Sequence, residues 1–349
     1  MPNCARIEIV GLGLAGACLL RALALEGFEG EVVAYEQADG PAQGASGNPL
    51  GILHPLRSAD HNRSSQFYEL GLQTCMAWCE SLQGNPQGWA GLNGVVELGT
   101  ELPGGWIQPA RFVQACLQEA DAFFGTRLRL RFSTPAPGAS RGTRVYCSAR
   151  TDGQMEAGLS LTPVAGQVSW VMAEPEEGPA KVLCGAGYVA PVVQGRLLVG
   201  ASFERATPIA EVTLQGHLEN LDRLAQLDAP LAESMRERWS RAEGRASVRW
   251  ATRDRLPLIG QPVDLAALAL HPHPQRISQL HHLPRLAETY VLLGLGSRGL
   301  TTAPLGAVAL ARQILGAPAV LPGHLADAVD PGRFVLRAHR RKGVLPEAH

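Results

Sequence analysis

The chain has 349 residues, 46% hydrophobic and 18% charged, with a formal net charge of -1. That length implies two domains or one elaborated domain, and the near-neutral charge excludes a global attraction to nucleic acid or an anionic membrane, leaving only local patches. The 7 cysteines, without a Cys-x-x-Cys pair or a Cys/His cluster of metal spacing, indicate a reduced cytoplasmic protein with no metal site.

In chain order, Ala5–Val10 reads as an apolar strand that the N-terminus enters without a leader. Gly11-Leu12-Gly13-Leu14-Ala15-Gly16 follows at once, Ala17–Glu26 reads as a helix, and a second strand Glu31–Tyr35 ends on Glu36 and Gln37. The unit predicts dinucleotide binding for physical reasons. Gly11 permits the tight turn, Gly13 lets the backbone approach a pyrophosphate, and Gly16 lets helix and strand pack closely. The free N–H groups of the helix start face the phosphates, and Glu36 accepts hydrogen bonds from a ribose.

Gln37–His54 is rich in small residues and holds Gly44-Ala45-Ser46-Gly47-Asn48, too small and polar for a core element. Helices are predicted over Asn62–Leu82 and Pro109–Phe123, with a short strand at Val95–Leu98 between them. Arg127–Ser160 is the least regular stretch, broken by Pro135, Pro137, Gly138 and Gly142. Leu161–Met172 and Lys181–Phe203 read as strands, the latter turning at Gly195-Arg196. Val212–Leu227 is a helix with Leu214, Leu218, Leu221, Leu224 and Leu227 at helical spacing. Pro262–Pro284 reads as a linker, and its histidines lack the acidic or thiol partners of a metal site. No apolar run approaches the roughly 18 residues of a membrane span.

Near the C-terminus, the strand Tyr290–Leu293 runs into Gly294-Leu295-Gly296-Ser297-Arg298-Gly299-Leu300 and then a helix, Thr301–Leu315. Two separated glycine loops distinguish a flavin protein from a plain nicotinamide dehydrogenase. FAD lies extended, so a later segment must approach its ring, and glycines let backbone N–H groups do so. The expected fold is α/β: a Rossmann-like FAD-binding domain with an inserted, mainly antiparallel-sheet substrate domain. The expected division is 1–85 for the first part of the FAD domain and 86–250 for mainly substrate domain with FAD-domain crossings. Residues 251–335 would complete the FAD domain, and 336–349 would form a basic tail.

Taken together, these residues resemble the D-amino-acid oxidase, glycine oxidase and sarcosine oxidase superfamily. More narrowly, they resemble the FAD-dependent oxidoreductase half of the MnmC family, which modifies wobble uridine in bacterial tRNA. The resemblance is carried by Gly44 to Gly51 with His54-Pro55 and Ser58-Ala59-Asp60, by Pro163 to Ser169, and by Cys184 to Tyr188 with Pro191. Gly200 to Phe203, His217 to Leu221, Ala251 to Pro257, Gly294 to Pro304 and Pro331 to Phe334 continue it in the same order. Three departures stand out: the family's methyltransferase half is not in this sequence, Ala165 replaces a usual basic residue, and Arg127–Tyr146 is short for a substrate-domain sheet.

The resemblance implies oxidation of a carboxymethylaminomethyl group on uridine, with loss of glyoxylate to leave the aminomethyl nucleoside, and a separate methyltransferase acting next. Such a site needs a cation for the carboxylate, and arginine offers a planar pair of donors. The candidates are Arg253, whose alternative role is an ion pair with Asp254 or another acid, and Arg298, which could instead serve the flavin. His54 is a further candidate, toward the ring or water. The tRNA would be met by the basic tail of Arg333, Arg337, Arg340, Arg341 and Lys342. FAD is expected to bind non-covalently, since no cysteine lies in the C-terminal glycine loop. An oxidase of a free small amine or amino acid (glycine, sarcosine, a D-amino acid) and a non-catalytic flavin-binding partner remain as alternatives.

Overall fold

The computed structural model describes residues 5–82, 88–148, 158–273 and 276–342, the side chains of 339–342 excepted. The apolar strand at the start of the chain, Arg6–Val10, lies near the middle of a six-stranded sheet. Its order is Leu258–Gly260, Thr289–Leu293, Thr143–Tyr146, Arg6–Val10, Glu31–Tyr35, Leu128–Arg131. All neighbours run parallel except the first pair. Ile7, Ile9, Val32 and Ala34 are fully buried, because helices Leu14–Leu25, Pro109–Phe124 and Gly299–Leu315 pack into the same core. Burial on both faces is what a parallel sheet requires of its strands.

Two of these strands, Leu128–Arg131 and Thr143–Tyr146, fall in the stretch whose sequence looked least regular. They therefore belong to this six-stranded sheet, and the shortness of the segment takes nothing from the second sheet. Their order comes from pairing: Val32 aligns with Leu128, and Ile9 with Val145. Arg144 is tolerated in a buried strand because Glu8, on the neighbouring strand, accepts from its Nη2 at 2.8 Å. Burial alone would raise the Glu8 carboxyl; bonds from Arg144, Arg141 and Ser140 outweigh this and hold it below its ordinary range.

A second, eight-stranded sheet is built around Leu161–Met172. Glu243–Thr252 pairs with it antiparallel from Leu161 opposite Thr252 to Trp170 opposite Glu243. The predicted long strand after Lys181 is three pieces, Val182–Cys184, Tyr188–Val189 and Arg196–Gly200, in the same sheet. Helices Leu214–Leu227 and Ala229–Trp239 cover one face through Leu221, Leu224, Met235 and Trp239. Thr213 and Asp228 cap them, accepting from Gly216 and Leu231 N–H groups. Leu214 and Leu218, predicted on the apolar stripe, are instead exposed, because the helix turns Gly216, Asn220, Leu221 and Leu224 to the sheet, with Asn220 bonded to Gln167 and Ser169.

The predicted linker at 262–284 is not idle chain. Val263, Leu268, Ile277 and Leu283 pack with Val335 and Leu336 of the C-terminal helix Arg333–Lys342. No helix of the described residues is long and apolar enough to cross a membrane.

Candidate active site

The first glycine loop is shaped as its sequence requires. Gly11 has φ +100, and a Cβ there would meet Ser148 N at 2.9 Å. A Cβ on Gly16 would lie 2.0 Å from the Gly11 carbonyl oxygen, so helix Leu14–Leu25 approaches the strand only with glycine there. Gly13 is the N-cap and brings no side chain to the helix start. Glu36 accepts from Leu12 N–H at 2.8 Å and Ala38 N–H at 3.0 Å. A carboxylate has about four acceptor positions, so two bonds fix its orientation and leave capacity for ribose hydroxyls. Gln37 is exposed beside it.

The small-residue loop folds against this helix start. Ala45–Gly47 forms a single 3-10 turn, and Ser46 Oγ accepts from Leu14 N–H at 2.9 Å. Arg245, from the eight-stranded sheet, donates to the carbonyls of Gln43 and Gly44. Gly47 makes room for it, since a Cβ there would lie 2.6 Å from Arg245 Nη2.

The second glycine loop closes on the first. Gly294 and Gly296 have φ +68 and +57, and Gly296–Arg298 turns directly into helix Gly299–Leu315. A Cβ on Gly299 would come within 3.2 Å of Leu14 Cδ2. One cavity of about 340 Å³ runs between the loops and the eight-stranded sheet. Leu14, Ala45, Ser46, Asn48 and residues 296–300 line it. Of the other expected cofactor residues, Gly11, Gly13, Ala15, Gly16, Glu36, Gln37, Gly47 and Gly294 shape the loops without lining this cavity. A helix start with glycine at its N-cap, two glycine-rich loops and an anchored acid are the parts an extended dinucleotide needs, so FAD fits.

The wall across from the second loop carries polar and titratable side chains. Arg249, on Glu243–Thr252, lines the cavity with its Nε buried and without a hydrogen-bond partner. Its guanidinium lies against Gly166, where a Cβ would sit 1.9 Å from Nη2, and 4.7 Å from the centre of the Phe203 ring. Burial lowers its pKa and the nearby Tyr188 partly offsets this; an arginine remains a cation all the same. Tyr188 also lines the cavity, and burial pushes its hydroxyl up to about 12, so it is a neutral group. Cys184 stands beside it, its thiol pushed up to about 12 by burial.

Arg298 and His54 are brought together as neighbours in the cavity. Arg298 Nη1 donates to the His54 carbonyl oxygen at 2.9 Å and lies 3.3 Å from His54 Nδ1. His54 Nε2 lies 3.4 Å from a Glu97 carboxylate oxygen without making a hydrogen bond. Burial and then the Arg298 charge lower the His54 pKa despite Glu97, so the ring is neutral near pH 7.

Two expectations are corrected here. Arg253 is exposed and does not line the cavity, because the strand that carries Arg249 inward ends at Thr252. Its partner is not Asp254 either: that carboxylate accepts from Arg333 Nη2 at 2.9 Å and Arg337 Nη1 at 2.7 Å. Arg333 is only 3% exposed and also donates to the Leu256 carbonyl, so it is an internal clamp and not part of a basic tail. Residues through Lys342 are helical, while the side chains of Arg340, Arg341 and Lys342 lie outside the described residues. Arg249 was legible only as the polar member of a Ser-Val-Arg-Trp run, since alternation cannot say which strand face meets a cavity.

A family model described as FAD dependent oxidoreductase matches residues 6–101 and 90–313. The protein of Burkholderia lata named tRNA 5-methylaminomethyl-2-thiouridine biosynthesis bifunctional protein MnmC is 32% identical over 97% of this chain and 61% of the relative. The protein of the same name from Burkholderia multivorans is 29% identical, over 98% of this chain and 61% of the relative. The chain thus spans about 61% of the length of these curated relatives. Among solved structures, glycine oxidase from Geobacillus kaustophilus superposes with a TM-score of 0.67 at 19% identity, covering 94% of this chain and 99% of that one. Iminodiacetate oxidase from Chelativorans sp. BNC1 gives 0.68 at 18% identity, covering 93% and 99%. These structures share the fold.

Proposed function

From the premise that this chain belongs to the family of FAD-dependent oxidoreductases, we propose that it oxidises the carboxymethylaminomethyl group of a tRNA wobble uridine. The observation that carries this reading is Arg249, a half-buried arginine whose Nε is buried and unpartnered, facing the second glycine loop across one cavity. A cation so placed calls for an anion from the ligand, and a carboxylate matches its planar donors. The similarity to tRNA-modifying relatives over 97% of the chain supports the choice of nucleoside.

Bound FAD supplies a two-electron hydride acceptor. Loss of hydride from the glycine-like methylene leaves an imine, and its hydrolysis releases glyoxylate and the aminomethyl nucleoside. Arg249 holds the carboxylate, so the C–H bond is presented toward the loop Gly296–Leu300. Arg298 stays tied to His54 and holds that loop against residues 51–54. Neutral His54, with its Nδ1 3.3 Å from Arg298 and its Nε2 buried, positions that arginine. FAD is held non-covalently in this reading, because the C-terminal glycine loop has no cysteine. The tRNA contact falls to Arg337, Arg340, Arg341 and Lys342, and a separate methyltransferase takes the product. Six unpaired cysteines among the described residues accord with a reduced, cytoplasmic setting.

The test is anaerobic bleaching of the flavin's visible absorbance by tRNA bearing carboxymethylaminomethyluridine, with glycine and sarcosine alongside. Fast bleaching by the tRNA is expected. Bleaching by the free amines alone would overturn the reading in favour of a small-amine oxidase.

A further inference from the structure

Phe203 follows the strand Arg196–Gly200 and has an unusual position for a large apolar side chain. It lines the active-site cavity, yet it is 57% exposed. The other strongly exposed apolar residues, such as Leu98 and Leu270, do not line the cavity. The ring stands 4.7 Å from the Arg249 guanidinium carbon, so the group that meets a carboxylate and the exposed ring are direct neighbours. Gly166 fixes that pairing by leaving room for the guanidinium behind. Tyr188, Arg249 and Phe203 share one wall; the first two are half-buried and Phe203 is the most exposed of the three.

Resting on the reading above, we propose that Phe203 is a stacking platform for the base, restricting the site to N-substituted glycines whose substituent is a planar pyrimidine. An aromatic ring open to solvent at a cavity mouth offers a π-face that any planar base can use, without a hydrogen-bond code. The guanidinium against the ring makes it part of a stacked layer and holds it in place. A substrate with a CH2–NH–CH2 link between base and carboxylate is short enough to place the carboxylate at Arg249 and the base at its neighbour. A free amino acid would leave the ring unused. Specificity for a nucleoside over glycine then comes from this ring, and the tRNA body adds affinity elsewhere.

The experiment uses the FAD-loaded protein and the free nucleoside carboxymethylaminomethyluridine, with anaerobic bleaching followed over a concentration series. Phe203→Ala should raise the half-saturating nucleoside concentration roughly 10- to 100-fold, with a much smaller change in the limiting rate. Phe203→Trp should restore it. An equal weakening toward N-ethylglycine, which has the amine and carboxylate but no ring, would overturn the proposal, because the ring would then only prop Arg249. An unchanged half-saturating concentration would overturn it as well. Failure of the unmodified protein to bleach with either nucleoside or tRNA would instead remove the proposed reaction itself.

Discussion

Arg298 and His54, 244 residues apart in sequence, are joined by a hydrogen bond from Arg298 Nη1 to the His54 carbonyl oxygen at 2.9 Å. The bond ties the C-terminal glycine loop to the segment that follows the small-residue loop. Arg298→Ala should weaken FAD retention by roughly 10-fold, the effect of removing one charge-assisted bond of about 1.5 kcal/mol. Flavin dissociation followed by fluorescence measures it.

Arg249→Ala should lower the bleaching rate at limiting substrate by roughly 10- to 150-fold, from removing charge-assisted bonds worth about 1.5–3 kcal/mol. Arg249→Lys should recover part of this, because a lysine offers no planar fork. Arg253→Ala should stay within about threefold of the parent rate, since the residue is exposed outside the cavity. Equal losses at both positions would refute the assignment of the anchor.

Gly16→Ala should abolish flavin binding or folding, because its Cβ would lie 2.0 Å from a backbone carbonyl that cannot move aside. Gly27→Ala has nothing within 4 Å of its Cβ but carries φ +71, so it costs only about 1 kcal/mol of backbone strain. Absorbance of co-purified flavin and a denaturant midpoint separate the two effects. Acid precipitation of the parent protein should release all the yellow colour, as non-covalent binding requires.

The pH dependence should show two windows of opposite chemistry. His54 has a folded pKa below its unfolded value near 6.5, so the unfolded chain binds the proton first. Stability is complete above about pH 6.5 and falls as pH drops toward the folded pKa, a slope that His54→Gln should flatten. Asp254 is raised by burial but lowered further by Arg333 and then Arg337, leaving it below its ordinary value. Its contribution is present above about pH 4 and is lost only as pH falls through that lower pKa. Thermal melts from pH 8 to 3 resolve the windows.

Asp254→Asn leaves the Arg333 guanidinium buried beside a neutral amide and should cost about 3 kcal/mol. The helix Arg333–Lys342 should then exchange its amide hydrogens faster than the rest of the C-terminal part. Replacing Arg340, Arg341 and Lys342 together by alanine should leave these melts alone. It should reduce the salt slope of tRNA binding by roughly 0.7–0.9 for each phosphate no longer neutralised.

The dinucleotide unit was readable from sequence because its requirements are local. A turn that needs φ +100 at Gly11, a close approach at Gly16 and an acid at the end of the next strand all lie within 36 residues. The second loop was readable for the same reason. Thr143–Tyr146 was not, because it becomes a strand only by pairing with Arg6–Val10, and its arginine is acceptable only with Glu8 beside it. Arg249 and Arg253 look alike in sequence, four positions apart on one polar-apolar run. Only the packing of two sheets against the glycine loops turns the first into the cavity and leaves the second in solvent. Likewise Arg333 belonged to a basic cluster by composition, and the fold buried it on Asp254. Backbone geometry that one turn demands is written in the residues of that turn; the environment of a charge is set by whichever distant elements close around it.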